Sequence, residues 1–523
     1  MNRWLALGLG LAFVVGLALR VPHLGQRPMH TDESVHAYKF LGLWQHGEYR
    51  YDPNEYHGPS LYYFSLPVVW ASGANTPGQL TEATLRAVTV VFGLGLILLL
   101  PLLADGLGRT ATWWAALFTA VSTAFVYYSR YYIHEVPLVF FTVLFGGAVW
   151  RYLQKPALGW ALLAGAALGL MQATKETFVF NLAAMAVAAA GVLVFAPGRK
   201  AAGQNLLGRL RLGHILAAVA LALALSVVLF SSFFTNATGP LDSLRTYLPW
   251  LQRAGGDSPH NHPWPFYFER LFWFHPAKGP VFSELLIGLL AVLGGVAAFL
   301  PDRFQPGHRG LAQFLVFYTV ALTAVYTVIA YKTPWCALGF LHGLILLAGL
   351  GAAALFKWIR PTWLWVIALV VVLGATVQLA VQARRASSEF AADQRNPYVY
   401  AHTSKDLLRL VQRVDGVARV DGHPDKVGIN VMAPGGDYWP LPWYFRALTD
   451  THWSAGIPAD PYAPIVVADA RLHAALDDKS DKRWLSVGYY EHRPGVFFEL
   501  FVELELWKRY VATLPRDRDD EDE

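Results

Sequence analysis

The sequence contains few charged residues and hardly any cysteine for its length. Only 15% of its 523 residues are charged, whereas soluble domains carry about 25%, so a water-soluble multi-domain enzyme is not expected. Its one cysteine, Cys336, excludes a disulfide framework and a cysteine-ligated zinc or iron–sulfur centre. The net charge of +5 is confined to a few loops, so no nucleic-acid partner is indicated. These shortages together favour a membrane protein.

Apolar residues make up 55% of the chain and are gathered in long runs. A helix needs about 20 mostly apolar residues to cross a bilayer core of about 30 Å. Such runs cover residues 4–21, 87–104, 111–128, 136–153, 157–173, 178–196, 215–234, 281–300, 311–331, 335–356 and 362–381. The run at 61–71 is shorter and contains Pro67, which predicts an interfacial or re-entrant helix. The pattern predicts a polytopic α-helical membrane protein with about 11 transmembrane helices.

Positive charges predict which side of the membrane each loop faces, because cytoplasmic loops are enriched in lysine and arginine. With a cytoplasmic N-terminus, the inner loops contain Arg109, Arg151, Lys155, Arg199, Lys200, Arg209, Arg211, Arg303, Arg309, Lys357 and Arg360. Counting 61–71 as a further span would move all of these residues outside, so the charges argue against that count. We therefore expect a multi-pass protein of the plasma membrane with its N-terminus in the cytoplasm.

The composition changes after residue 382, where ordinary charge density replaces the apolar runs. Helix-like pieces at 405–414, 439–448 and 470–476 alternate with strand-like pieces at 426–432, 464–468 and 495–502. This alternation predicts a small α/β domain, and the odd number of spans places it outside the cell. We predict a transmembrane domain at 1–382, an extracytoplasmic α/β domain at 383–515 and a charged, disordered tail at 516–523.

Acidic and basic side chains are predicted to collect at the outer ends of several spans. Asp32 and Glu33 follow the helix-start residue Thr31, Glu135 precedes an apolar run, and Lys175 lies in a short outer loop. First-turn acids often complement a helix dipole, which is worth about 0.3–1 kcal/mol each, and loop charges often close ion pairs. Charged groups at the edge of the hydrocarbon are costly, however, and usually mark function.

Further polar and aromatic residues are predicted on the outer side, and each has an ordinary structural interpretation. Arg130 by itself is typical of a basic residue at a helix end that reaches the headgroups. The outer loop at 235–279 is rich in aromatic residues around Arg270, which favours a segment in the headgroup layer, although aromatic faces also bind sugars or prenyl chains. His260 and His262 fit an ordinary loop better than a metal site, because their spacing is loose.

Sugar transfer from a lipid-phosphate donor to a hydroxyl at the membrane surface would use these groups. The acceptor hydroxyl needs a carboxylate that takes its proton. The leaving polyprenyl phosphate needs a lysine, an arginine or a divalent cation. The candidate base is Asp32 or Glu33, and Glu135 is the candidate second acid. The candidate ligand of the phosphate, the phosphate clamp, is Lys175, Lys332 or Arg270.

The acidic motifs resemble those of the GT-C glycosyltransferase superfamily. Asp32-Glu33 and His134-Glu135 are similar to its two acidic motifs, and segment 130–137 is similar to the second-loop segment of the protein O-mannosyltransferases. Those enzymes and the aminoarabinose-type lipid A transferases would be the nearer relatives. The resemblance implies a GT-C fold, inverting single displacement and polyprenyl-phosphate sugar donors. It also implies Asp32 as base, Glu33 as its partner and Glu135 as the second-loop acid.

A tighter resemblance, spanning residues 20–498, is to the prokaryotic flippase-activity-associated proteins, which are linked to archaeal N-glycosylation. It rests jointly on Asp32-Glu33-Ser34-Val35-His36-Ala37, Tyr56-His57-Gly58-Pro59, Thr174-Lys175-Glu176, Tyr331-Lys332-Thr333-Pro334-Trp335 and Asp437-Tyr438-Trp439-Pro440-Leu441-Pro442-Trp443-Tyr444. The residues expected to contact substrates are His36, His57, Arg130, His134, Lys175, Glu176, Arg270, Lys332 and Trp335.

Cofactor, acceptor and even the presence of chemistry stay open at this level. The superfamily contains metal-dependent and metal-independent members, and a divalent ion such as Mg or Mn would be held by Asp32 and Glu135. The acceptor is a protein, a lipid or a polysaccharide, and membrane lipids are the other expected partners. The alternative function is an accessory or translocating component for lipid-linked sugars. A solute transporter is less favoured, because it would need ionisable residues at mid-membrane, where His342 is among the few.

Overall fold

The computed structural model describes residues 3–54, 57–196, 199–301 and 305–515, which fall into two units. The helical unit comprises Met1–Leu24, Gly42–Ser72 and Ala83–Tyr400, and the sheet unit comprises Gly25–Leu41, Gly73–Glu82 and Ala401–Glu523. The predicted tail at 516–523, the motif residue Tyr56 and the loop residue Arg303 lie outside the described residues. The predicted domain limits at 382 and 515 stay predictions.

The long apolar helices that precede the sheet follow the predicted apolar runs, and further helices lie between those runs. Their bounds are α1 Arg3–Arg20, α2 Thr31–His46, α3 Ser60–Ser72, α4 Glu82–Leu99, α5 Ala104–Leu107, α6 Arg109–Val121, α7 Thr123–Tyr128, α8 Glu135–Gln154, α9 Leu158–Gln172, α10 Phe178–Phe195, α11 Arg199–Arg209, α12 Leu212–Phe230, α13 Gly239–Arg245, α14 Tyr247–Gly255, α15 Phe266–Phe272, α16 Leu285–Ala297, α17 Arg309–Val328, α18 Leu338–Trp358 and α19 Thr362–Ser387. The short run at 61–71 is a helix, α3, and its interfacial position stays a prediction.

Eight of the described helices are long and apolar enough to cross a membrane by length and composition. They are α1, α4, α8, α10, α12, α17, α18 and α19, with α4 and α18 lengthened by the helical turns beside them. The predicted spans at 157–173 and 281–300 correspond to the shorter apolar helices α9 and α16. The mainly helical, membrane-type fold is confirmed, and the predicted count of about 11 spans stays a prediction.

The predicted run at 111–128 is interrupted at Ser122, which separates α6 from α7. The Ser122 hydroxyl and the Ala124 N–H each donate to the buried carboxylate of Glu284, at 2.8 Å in both cases. The carboxylate therefore satisfies a donor that the helix start leaves without an intrahelical partner. Apolar composition carries no signal for such an interruption.

α18 is the most buried of the candidate spans, with 83% of its apolar window inside the unit. Glycines allow this burial where α16 and α18 meet. Gly351 lies against the Leu290 carbonyl and Gly294 against the Leu347 carbonyl, so a Cβ at either position would overlap backbone atoms. Small residues let helices pack at backbone distance, which is how helices associate in lipid.

The predicted α/β domain is confirmed as a five-stranded mixed sheet in the order β2-β1-β3-β5-β4. The strands are β1 Ile429–Met432, β2 Thr451–Ser454, β3 Ile465–Asp469, β4 Trp484–Arg493 and β5 Val496–Glu503, and the helices are α20 Asp406–Ala418, α21 Leu441–Tyr444, α22 Leu476–Lys479 and α23 Leu504–Val511. β1 runs parallel to β2 and β3, with Ile429 opposite Thr451 and Ile465. β5 runs antiparallel to β3 and β4.

The three inner strands were predictable and the two edge strands were not. β1, β3 and β5 are rich in buried apolar residues and overlap the predicted strand-like pieces. β2 and most of β4 are only partly buried. An edge strand can face water with polar side chains, so it lacks a continuous apolar signal.

Candidate active site

The first-loop acids of the sheet unit lie at the start of α2 and differ in exposure. Glu33 is fully buried, and its Oε2 forms an ion pair with Arg27 Nη2 at 2.8 Å and accepts a hydrogen bond from the His30 N–H at 2.9 Å. Asp32 keeps 38% of its side chain exposed. The Asp32 N–H donates to His30 Nδ1 at 3.1 Å. His30, rather than Thr31, is therefore the N-cap, and Glu33 closes a capping box with it.

The motif at 437–444 supports this helix start. The Met29 N–H donates to the Tyr444 hydroxyl at 2.8 Å, and the Ser34 hydroxyl donates to the Pro440 carbonyl at 3.4 Å. The Tyr38 ring meets Trp439 edge to face, with ring centroids 5.8 Å apart. The motif therefore fixes α2 through backbone and ring contacts. His36, predicted to contact substrate, is 1% exposed within α2.

The second-loop acid of the helical unit forms a buried ion pair. Glu135 opens α8, and its carboxylate bonds the ammonium of Lys175, which lies in the loop between α9 and α10. Glu135 is 6% exposed and Lys175 is 5% exposed. Burial would lower the pKa of Lys175, but the Glu135 carboxylate raises it well above the ordinary lysine value. The ammonium therefore stays charged and compensates the carboxylate.

A second acid–base pair joins the next residue of the same loop to the first outer loop. Glu176 Oε2 lies 2.8 Å from His57 Nδ1, and Glu176 Oε1 accepts from the Tyr51 hydroxyl at 3.3 Å. The Tyr247 hydroxyl donates to the Glu176 carbonyl at 3.1 Å. Burial would raise the pKa of Glu176, but His57 lowers it below its ordinary value. Glu176 is therefore held ionised.

Backbone contacts tie three predicted loops together at Gly58. Its N–H donates to the Thr174 carbonyl at 3.1 Å, and its own carbonyl lies 2.9 Å from His134 Nε2. A Cβ on Gly58 would overlap the Ala173 carbonyl, so the close approach requires glycine. His57 also meets the ring of the buried His134 edge to face, with centroids 5.3 Å apart.

A small cavity adjoins the Glu135–Lys175 pair. Its polar lining comes from Glu135, Lys175, Thr177 and Asn181, and its aromatic lining from Tyr326 and Trp335. Asn181 Oδ1 accepts from the Tyr318 hydroxyl at 2.8 Å. The predicted residues Glu135, Lys175 and Trp335 thus share one cavity wall, whereas Asn181 and Tyr326 were not predicted because apolar helix runs hide single polar positions.

Trp335 connects this cavity to an aromatic and basic cluster. Its ring lies 6.1 Å from Tyr128 and 6.0 Å from Tyr400, and the Tyr400 hydroxyl bonds His260 Nδ1 at 2.7 Å and His262 Nε2 at 2.9 Å. The Arg270 guanidinium lies 4.1 Å above the Phe266 ring. Its Nε has no hydrogen-bond partner among the described residues.

Lys332 is held by main-chain carbonyls. Its Nζ donates to the His262 carbonyl at 2.9 Å and to the Ile329 carbonyl at 2.5 Å, and the side chain is 1% exposed. Burial lowers the pKa of Lys332. Both histidines of this loop are thus anchored, His260 through its carbonyl by the Lys332 N–H at 2.9 Å.

Arg130 contacts the end of α1. Its guanidinium donates to the carbonyls of Arg20 at 2.6 Å, Pro22 at 2.7 Å and His23 at 3.2 Å. These are carbonyls at and just beyond the end of α1, where a cation is stabilising. Its predicted contact with substrate stays a prediction, as do the roles of the other predicted site residues.

The described residues contain no group of three or more His, Cys, Asp or Glu side chains arranged to hold a metal ion. The Glu135 carboxylate is engaged with Lys175. The donor set therefore does not fit a divalent ion at Glu135 as it stands, and we derive no step through a metal.

One family and several solved structures resemble this chain. Residues 11–238 match the family described as "Dolichyl-phosphate-mannose-protein mannosyltransferase", and no curated protein matches. ArnT from Cupriavidus metallidurans, bound to undecaprenyl phosphate, is 14% identical with a TM-score of 0.61, covering 98% of this chain and 99% of ArnT. AglB from Archaeoglobus fulgidus, in complex with an inhibitory peptide and a dolichol-phosphate, is 14% identical with a TM-score of 0.58, covering 97% and 77%.

At this identity the structural likeness shows the fold, and the family match covers less than half of the chain. The finer resemblance to the flippase-activity-associated proteins stays a prediction. The fold of this chain is therefore similar to that of ArnT and AglB, and its residues 11–238 are similar to the mannosyltransferase family.

Proposed function

We propose that the protein moves a sugar from a polyprenyl-phosphate-linked donor to a hydroxyl acceptor by single displacement with inversion. The observation that carries the proposal is the buried Glu135–Lys175 pair beside a cavity, with Glu176–His57 next to it. The donor class is supported by ArnT, bound to undecaprenyl phosphate, and by AglB, bound to a dolichol-phosphate. The acceptor hydroxyl belongs to a protein, a lipid or a polysaccharide.

Asp32 is the proposed base. The acceptor oxygen attacks C1 of the sugar while the bond from C1 to the phosphate oxygen breaks, and the hydroxyl proton passes to the Asp32 carboxylate. The partly exposed side chain of Asp32 supports this role. Glu33 is fully buried and held by Arg27, so it serves the helix start. General-base catalysis of this kind contributes about 10²–10⁴ in rate.

Arg270 is the proposed phosphate ligand, because the other candidate cations are already engaged. Lys175 compensates Glu135, and Lys332 bonds two main-chain carbonyls. Arg270 lies on an aromatic face and has an Nε without a hydrogen-bond partner in the described chain. A planar guanidinium also matches two phosphate oxygens at once. Lys332 instead positions the loop that carries His260 and His262.

The reaction is proposed to take place on the extracytoplasmic side, with the N-terminus in the cytoplasm and the sheet unit outside. The inner-loop positive charges support this orientation. Cysteine-accessibility labelling in intact cells tests it: a cysteine at the exposed position Asp450 should react with an impermeant reagent, and one at Arg360 should react only after permeabilisation.

Transfer of labelled sugar by the purified protein tests the function. Asp32→Asn should lower kcat by about 10²–10⁴ while donor binding persists. The matched control is Asp450→Asn in the same unit, a half-exposed acid that pairs with His452, and it should transfer at the wild-type rate. Transfer by Asp32→Asn at the wild-type rate would exclude Asp32 as the base. Movement of lipid-linked sugar across vesicles without product would favour the accessory or translocating function instead.

A further inference from the structure

The Glu176–His57 pair is a built histidine–carboxylate dyad that the transfer step above does not use. His57 Nδ1 lies 2.8 Å from Glu176 Oε2. The Glu176 side chain is 8% exposed, whereas the His57 ring keeps 30% of its surface exposed. A buried carboxylate behind a partly exposed imidazole fixes the ring and stabilises its protonated form.

Two tyrosines hold Glu176, one through its carboxylate and one through its main chain. The second carboxylate oxygen accepts from the Tyr51 hydroxyl at 3.3 Å, and the main chain of Glu176 accepts from the Tyr247 hydroxyl at 3.1 Å. The low pKa of Glu176 keeps it ionised, so Nδ1 of His57 carries the hydrogen that faces it. The proton that the ring gains and loses therefore sits on Nε2.

The His57–Glu176 dyad is linked to both chain segments that form the Glu135–Lys175 pair. His57 contacts the ring of His134, which precedes Glu135, and it bonds Glu176, which follows Lys175. Glu176 bonds the His57 ring and His134 meets it edge to face, while Tyr51 and Tyr247 bond Glu176, and Lys175 bonds Glu135.

We infer that His57, oriented by Glu176, is the general acid that protonates the leaving polyprenyl phosphate. The inference rests on the proposed function and adds a catalytic group to it. As the C1–O bond breaks, its electron pair stays on the phosphate oxygen, and the proton on His57 Nε2 passes to the phosphate group. The proton of the acceptor hydroxyl passes separately to Asp32. Asp32 therefore gains one proton and His57 loses one. The product is a prenyl phosphate monoanion and a neutral His57, which regains its proton from water.

Histidines and phosphate monoesters ordinarily ionise over the same pH range. The second pKa of a phosphate monoester is about 6, and that of an ordinary histidine is about 6.5. Proton transfer between groups of similar pKa near the working pH is the favourable case for general-acid catalysis. The Lys175 ammonium, held charged by Glu135, is a poorer acid for this step.

The pH profile of kcat/KM tests the inference with His57→Gln and Glu176→Gln. In the wild type, kcat/KM should fall on the alkaline side as His57 loses its proton. Glu176→Gln removes the negative charge that favours the imidazolium, so this limb should move to lower pH. His57→Gln should remove the limb and lower kcat by about 10²–10⁴. The control is His46→Gln, an exposed histidine at the end of α2, which should leave the profile unchanged.

Binding of farnesyl phosphate, a short prenyl monophosphate, gives a readout that needs no turnover. Calorimetry in two buffers with different ionisation enthalpies near pH 7.5 should show proton uptake by the wild type and its loss in His57→Gln. Equal uptake in both proteins, or an alkaline limb that stays in place in both variants, overturns the inference while the transferase survives. His57-dependent uptake without any sugar transfer contradicts the acid role. Neither binding nor transfer by the wild type overturns both proposals.

Discussion

Asp32 and Glu135 are both acids in the first turn of a helix, but they differ in exposure and in pairing between the two units. In the sheet unit, Asp32 stays 38% exposed, while its neighbour Glu33 is buried against Arg27 at 2.8 Å. In the helical unit, Glu135 is buried and paired with Lys175. An exposed carboxylate exchanges its proton with water readily, whereas a buried, paired one is held in a single charge state.

The difference assigns different work to the two acids. The helical unit holds Glu135 in a compensated pair with Lys175, which gives fixed charges beside a cavity. The sheet unit divides its two adjacent acids between support, at Glu33, and an available carboxylate, at Asp32. Fixed charges suit ligand binding and stabilisation of developing charge, and an available carboxylate suits proton transfer.

The largest expected effect of breaking this arrangement is on stability, from Lys175→Met. The change leaves the buried Glu135 carboxylate without its cation, and removing one partner of a buried ion pair costs about 3–5 kcal/mol. Thermal unfolding of the purified protein in detergent should show a clear drop in the midpoint. The double variant Glu135→Gln/Lys175→Met should recover most of the loss, because no buried charge then remains.

Lys508→Met is the matched control for that experiment. Lys508 pairs with Glu505 at 2.8 Å, and the two side chains are 60% and 72% exposed. Surface pairs of this kind are worth about 0–1 kcal/mol, so the midpoint should hardly move. Equal midpoints for the wild type and Lys175→Met would mean that the Glu135–Lys175 pair is solvated, and the contrast with Asp32 would fail.

The second prediction concerns acid pH and the support of the first loop. His492 is fully buried, and its Nε2 lies 2.7 Å from the Trp439 carbonyl. Burial lowers the pKa of His492 to about 4, below the ordinary value of about 6.5. The unfolded chain therefore binds this proton more readily, and stability falls as the pH drops from about 6.5 to 4, by about 3 kcal/mol in all.

The ion pair of the helical unit has its pH window at the other end of the scale. The pKa of Lys175 is raised by Glu135, so its contribution is complete below about pH 10 and is lost only at higher pH. Hydrogen exchange at pH 7 and pH 5, corrected for intrinsic rates, should show loosening of segment 437–444 but not of segment 133–137. His492→Gln should abolish the difference, and the exposed His423→Gln should not. Equal loosening of both segments would contradict the assignment.

Much of the helical architecture follows from composition. Long apolar runs predicted the positions of α1, α8, α10, α17 and α19 to within a few residues, because a bilayer requires such runs. The interruption at Ser122 was not predictable, since Glu284, which stabilises it, is distant in sequence. The inner strands were found from their apolar residues, and the edge strands β2 and β4 lacked that signal.

The sequence was sufficient to predict which residues belong to the site. It was not sufficient to predict which of them pair with each other. Sequence placed Glu135, Lys175, Glu176 and His57 in outer loops, but Lys175 and Glu176 are neighbours, so their partners cannot be told apart without coordinates. Lys332 was predicted as a phosphate clamp from its charge, whereas its ammonium bonds the His262 and Ile329 carbonyls. Such main-chain partners have no sequence signature.

The smallest effect separates the two neighbouring acids of the first loop. Glu33→Gln keeps an acceptor for the His30 N–H but replaces the charged partner of Arg27, which should cost about 1.5–3 kcal/mol, the range for hydrogen bonds to charged groups. Asp32→Asn should change the unfolding midpoint by under about 0.5 kcal/mol equivalent, because its side chain is partly exposed. Transfer assays should show the reverse order, with Asp32→Asn nearly inactive and Glu33→Gln retaining most of its kcat at temperatures where it stays folded. If Glu33→Gln were as stable as the wild type and as inactive as Asp32→Asn, Glu33 would share the proton-transfer step, and exposure would not be what divides support from catalysis.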